Sequence, residues 1–234
     1  MINPNLFQDS GECLILEAGF AEKSLKGNDA LLFDNVLQLY GVFDGMGLEP
    51  HSGTAANITA HTIKSFMLEK LVDTLDGIED GLIEAMEKSH KAITDKFKEP
   101  PYGATTATVA KFVKENDITY LVWASVGDSR LYLRDPAGNL NQITEDEGEG
   151  RFLSNVLGDD DYFDGVLQHG TIQIDNGSDI LLVTDGITGD YDEDILSPEE
   201  ILSALNTSSA QAAAQQLLYI SRKRDDKTVI VIRY

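Results

Sequence analysis

The sequence predicts an α+β fold in which antiparallel sheets pack on each other and helices lie outside. Three observations lead there. Short apolar strand-like runs come in blocks, pairs of helix-like segments separate the blocks, and the strict strand–helix alternation of a parallel sheet is missing. A length of 234 residues with 42% hydrophobic side chains suits one globular domain over residues 1–234.

The first third reads as strands. "CLILEAGF", "ALLFD" and "VLQLYGVFD" are short, apolar and separated by turn residues such as "GND" and "DN". Residues 51–75 read as a helix, because Ile58, Thr62, Ile63, Phe66, Met67, Lys70 and Leu71 recur at spacings of three and four. A second helix is expected over about 79–98, with Leu82, Met86, Ser89, Ile93 and Phe97 on one face, ended by "EPPYG" because proline cannot continue it. Strands resume with "ATTATVAKFV", "ITYLVWASV", "SRLYLRD" and "NLNQIT", the last two joined by a "PAGN" turn. Residues 144–170 read as an irregular acidic flap, solvated rather than packed. "TIQI" and "DILLVT" follow as strands, then helices over 197–205 and 209–222. The first of these opens with "SPEE", which offers Ser as N-cap and Pro at the first helical position. "KTVIVIRY" closes the chain as a strand.

Charge narrows the function. The net charge is −22 and no basic patch stands out, so neither a nucleic acid nor an anionic membrane surface is an expected partner. Acidity of this degree suits metal ligation or a basic partner peptide. A single cysteine, Cys13, cannot form an intramolecular disulfide and reads as a packed thiol in a cytoplasmic protein. Residues 1–12 lack a basic region followed by an apolar stretch, so no leader is expected, and the apolar runs are too short to span a bilayer.

The chemistry sits at strand tips. "LYGVFDG" ends at Asp44, "YLVWASVGDS" at Asp128 and "ILLVTDG" at Asp185, while "DDKTVIVI" begins with Asp225 and Asp226. Any one Asp-Gly pair alone reads as a turn. Carboxylates at the tips of four neighbouring core strands would raise one another's pKa and call for a divalent cation. All-oxygen ligands suit Mg²⁺ or Mn²⁺, and paired ions of this kind activate water against phosphoesters. Gly45 lets the backbone approach closely enough for its carbonyl to serve as a ligand.

"VFDGMG", "GATTATVA", "ASVGDSRLYL", "LLVTDGIT" and "DDKTVIVI" stand in the order and rough spacing of the metal-dependent protein phosphatases, the type 2C serine/threonine phosphatases. The chain resembles that family from about residue 12 to 234, and its compact bacterial members in length. The resemblance implies a four-layer αββα sandwich, two antiparallel sheets flanked by helix pairs. It implies two Mn²⁺ or Mg²⁺ ions, with a third, weaker metal. Asp44 would bridge the two ions, the Gly45 carbonyl would bind one, and Asp185 and Asp225 would complete the first site. Asp128 would hold the third metal with Asp185, and Asp29 would hold metal-bound waters. Asp44, Asp185 and Asp225 are thus the expected catalytic residues. The partner would be a phosphoprotein or phosphopeptide, with the protein a monomer.

The departures gather at the phosphate-binding mouth. Asn28 stands where the family carries a carboxylate, and Ser24 where it carries a phosphate-gripping arginine. Lys23 and Lys26 are the nearby substitutes, each a point charge rather than a bidentate fork. Leu48 replaces a usual glycine, and Glu147 stands where many relatives have histidine. His51 is a candidate proton donor to the leaving oxygen, against its plainer reading as a surface histidine at a helix start. Arg130 reads as a brace for the Asp128 loop, and Thr105 and Thr106 as hydrogen-bonding residues rather than nucleophiles. Three functions stay open: a metal-dependent phosphoserine/phosphothreonine phosphatase, a catalytically weak phosphatase-like binding or regulatory module, and a hydrolase of a small phosphoester rather than a protein.

Overall fold

The structure is a computed structural model that describes residue 14 and residues 16–234, apart from 48–49, 71–73, 101, 150–151, 162 and 191–192. Cys13, Leu48 and Leu71 lie outside the described residues.

Two five-stranded antiparallel sheets carry the fold. One runs Glu17–Lys23, Lys227–Arg233, Asp179–Val183, Arg130–Arg134, Leu140–Gln142; the other runs Gln168–Ile174, Ile118–Val126, Ala107–Glu115, Leu39–Phe43, Ala30–Asp34. Their facing sides form the central core, where Tyr40, Phe112, Leu121 and Trp123 of one sheet meet Leu131, Leu182 and Ile230 of the other. The outer face of the second sheet is covered by α1 (His51–Lys70) and α2 (Leu75–Lys96). A four-residue turn of helix, α3 (Asp185–Thr188), follows the Asp179–Val183 strand, and α4 (Pro198–Leu205) and α5 (Ala210–Ile220) cover the first sheet. The four-layer αββα arrangement is therefore present.

The helix caps follow the sequence. Ser197 accepts the Glu200 N–H while Glu200 accepts the Ser197 N–H, a full capping box with Pro198 behind it. α2 starts earlier than its apolar spacing suggests, because Thr74 caps it through the Gly77 N–H. The buried face of α1 also differs from the expected one. Among the described residues of the expected set only Ile63 is fully buried, and the contact is made instead by Ser52, Gly53, Ala55, Ala56 and Thr59. Small side chains let this helix lie close to the strands it covers, while Ile58, Phe66 and Met67 pack around the rim of that cluster.

The flap corrects another expectation. Asn155, Val156 and Leu157 are buried, and Leu157 exchanges backbone hydrogen bonds with Thr105 at 2.9 and 3.0 Å. This part is packed structure rather than a solvated loop. The Gln168–Ile174 strand already begins inside the range read as flap.

Candidate active site

Strand register brings the carboxylates together. In the first sheet Val183 pairs with both Arg130 and Val229, so residues 128, 185 and 225, each just beyond a strand, share one end of that sheet. In the second, Phe43 pairs with Ala30, which places Asp44 beside Asp29. The two ends adjoin, because Asp29 Oδ2 accepts hydrogen bonds from Thr228 of the first sheet at 2.8 Å and from Thr184, just past that sheet's Asp179–Val183 strand, at 2.9 Å.

Hydroxyls and glycines hold the loops. Thr106 Oγ1 accepts the Asp44 N–H at 3.0 Å and bonds Ser129 Oγ at 2.8 Å, tying the Asp44 loop to the Asp128 loop. The Asp44 carbonyl accepts from the Thr106 N–H and the Thr105 hydroxyl. A side chain at Gly45 would collide with the carbonyls of Asn28 and Ser52, and one at Gly186 with the carbonyl of Asp226, so both loops need glycine for close approach. Arg130 forks onto Asp146, with Nε 2.9 Å from Oδ1, and Glu147 accepts the Gly127 N–H at 2.8 Å. These two contacts anchor the root of the flap beside Asp128. Arg130, expected to brace the Asp128 loop, puts its fork on Asp146 of the flap.

The electrostatics are those of crowded carboxylates. Burial, then Asp29, Asp185 and Asp128, push the Asp44 carboxyl well above its ordinary range. Burial raises Asp29 to about 7, against two hydroxyl hydrogen bonds and with the help of Asp226 and Asp185. Asp128 also reaches about 7, through burial and the charges of Asp185 and Asp146. The cluster is short of positive charge. Oδ1 of Asp29 and Oδ1 of Asp185 are buried without a hydrogen-bond partner, an expensive condition that a cation would relieve. The donors are hard oxygens, which fit Mg²⁺ or Mn²⁺. Among the described residues no three acidic, histidine or cysteine side chains already stand at the spacing that grips one ion. Two of the acids are instead engaged by lysines: Lys223 pairs with Asp185, and Lys26 Nζ lies 2.7 Å from Asp225.

A family model described as protein phosphatase 2C matches residues 22–220. The chain belongs to the protein phosphatase 2C family. It is 26% identical to a rice protein (Oryza sativa subsp. japonica) described as probable protein phosphatase 2C 62, over 85% of this chain and 76% of that one. The serine/threonine phosphatase of S. agalactiae shares its fold, with a TM-score of 0.81 at 18% identity, covering 94% of this chain and 99% of that one. So does the catalytic domain of the serine threonine protein phosphatase PstP in complex with 2 manganese ions, with a TM-score of 0.72 at 21% identity over 94% and 99%.

In this phosphatase 2C fold the remaining expected residues fall as follows. Lys26 is at the mouth, on Asp225. Lys23 is exposed at the end of its strand, opposite Lys227. The His51 ring lies against Phe97, with centroids 4.7 Å apart. Asn28, in place of a carboxylate, accepts the Ser52 hydroxyl at 2.8 Å. Sequence reading placed Asp226 at a strand tip but gave it no role. Its Oδ1 accepts the N–H groups of Leu25 and Lys26 and its Oδ2 that of Asn28, so it shapes the loop that carries Asp29. Sequence reading missed Lys223, whose only sequence signal is that "RKR" is the sole run of adjacent basic residues in the chain. Among the described residues no helix is long and apolar enough to cross a membrane.

Proposed function

We propose that this chain is a metal-dependent phosphoserine/phosphothreonine protein phosphatase. The observation that carries the reading is the position of Asp44, half-buried among Asp29, Asp128 and Asp185, with its carboxyl driven up first by desolvation and then by all three. A site built this way is made to receive positive charge. Asp44, the Gly45 carbonyl, Asp185 and Asp225 would hold two Mn²⁺ or Mg²⁺ ions, with Asp128 for a third. The PstP complex with manganese supports that reading. Such ions, when bound, lower the pKa of water and neutralise the phosphate.

The chain's own residues supply the rest. Asp29 is fixed through Oδ2 by two threonines, which leaves Oδ1 to orient water toward the phosphorus. Lys26 stands at the mouth as a point charge for the substrate phosphate. From Lys26 a groove of about 560 Å³ runs past Asn28, Gly53, Asn57 and Ile58 to His61, and it would seat the residues flanking the phosphorylated one. His51 packs its ring on Phe97.

The test is release of phosphate from a phosphothreonine peptide and from p-nitrophenyl phosphate, with Mn²⁺ and with EDTA, using Asp185→Asn as control. Mn²⁺-dependent release that the variant lacks supports the enzyme. One observation favours a second reading, a weakly active binding module: lysines already neutralise two of the site's acids. Folded, metal-loaded protein that releases no phosphate would decide for that module.

A further inference from the structure

The carboxylate cluster contains a cation that the chain itself supplies. The Lys223 ammonium pairs with Asp185 Oδ2, and the two side chains are only 20% and 16% exposed. Its charge also acts on Asp128. The lysine is delivered by a fixed segment. Ser221 donates its hydroxyl to the Gly186 carbonyl at 2.7 Å, and Lys227 donates to the Ser221 carbonyl at 2.7 Å. Arg222 bonds Glu200 at 2.9 Å and also the Ile195 carbonyl. The stretch between α5 and the Lys227–Arg233 strand is thus tied to the very turn that bears Asp185, and Lys223 lies in its middle.

Even with a divalent cation on Asp185 Oδ1, which has no hydrogen-bond partner, an ammonium on Oδ2 would stand a few ångströms from it, like charge against like charge in a partly dry site. Loading the metal therefore means moving the lysine. We propose that Lys223 is an internal competitor for the divalent cation, holding Asp185 in the metal-free protein and giving it up when the ion enters. The lysine supplies part of the charge that the crowded acids lack, so the acids stay packed before an ion enters. It also weakens metal binding, so turnover follows the free metal concentration instead of saturating at trace levels. Lys26 on Asp225 is a lesser version, since that pair is 47% and 30% exposed and better screened.

This inference rests on the metal site proposed above, and the experiment separates the two. Mn²⁺ binding is measured by titration calorimetry for the wild type, K223M, K223Q and K223R, and each protein is melted in EDTA. K223M and K223Q are expected to bind Mn²⁺ about tenfold tighter or more and to melt lower in EDTA. K223R, which keeps the charge, should stay near the wild type in both. Equal or weaker binding by the two neutral variants overturns the competitor role while leaving the metal site standing. No Mn²⁺ binding by any of the four proteins overturns both.

Discussion

Asp226 holds Asn28 in place: Oδ2 accepts the Asn28 N–H at 2.6 Å, while Oδ1 takes the N–H groups of Lys26 and Leu25. One buried carboxylate thereby satisfies three donors of the loop that leads into Asp29. Replacing it with alanine strands those donors beside the site. Asp226→Ala should cost about 2–4 kcal/mol of stability, read by denaturant unfolding. Asp226→Asn, which keeps an acceptor, should lose less.

The metal-free protein should be more stable in mild acid than in mild alkali. Asp29 and Asp128 both sit near about 7 in the folded chain, raised first by burial from an ordinary 3.8. Between those values the folded state holds protons that the unfolded state has released, so stability falls as pH rises. In EDTA the melting temperature should drop by about 5 °C or more between pH 5.5 and pH 8. Saturating Mn²⁺ should restore it at pH 8, because the ion binds only the folded form. A flat melting profile in EDTA would mean that the two carboxyls are not crowded.

The layers and the strand-tip acids were legible in the sequence for one reason: the most apolar runs stop at a carboxylate, so strand ends and site residues are marked by the same letters. Asp44, Asp128 and Asp185 were found that way. The packed face of α1 was not, since periodicity draws the eye to Phe66 and Met67, whereas close contact is made by Ala55, Ala56 and Thr59. Nor was the buried flap, where Val156 and Leu157 are hidden in an acidic context. Lys223 and Asp226 act through residues 38 and about 200 positions away, and no local pattern encodes such pairs.

Thr106 couples the Asp44 and Asp128 loops through one hydroxyl, which meets both the Asp44 N–H and Ser129. It is 1% exposed, so water cannot replace the lost partner. Thr106→Val keeps the shape and removes the acceptor, and it should cost about 1–3 kcal/mol. Its effect on turnover should fall on kcat more than on KM, because it moves Asp44 and not the peptide groove. Thr106→Ser should recover most of both.

Asp44→Asn separates what the acid costs from what it does. The carboxylate is pushed up by burial and by three neighbouring acids, so the folded protein pays to keep it charged. The amide is nearly the same shape and carries no charge. In EDTA at pH 8 the variant should therefore melt higher than the wild type, since one member of the repelling set is gone. With Mn²⁺ the order should reverse if Asp44 is the proposed ligand, because the variant would have lost it. Phosphopeptide hydrolysis should fall by at least about a hundredfold. A variant that melts higher without metal and gains little from Mn²⁺ would show that these acids are clustered against stability and for the ion. A variant that keeps both Mn²⁺ stabilisation and turnover would remove Asp44 from the site.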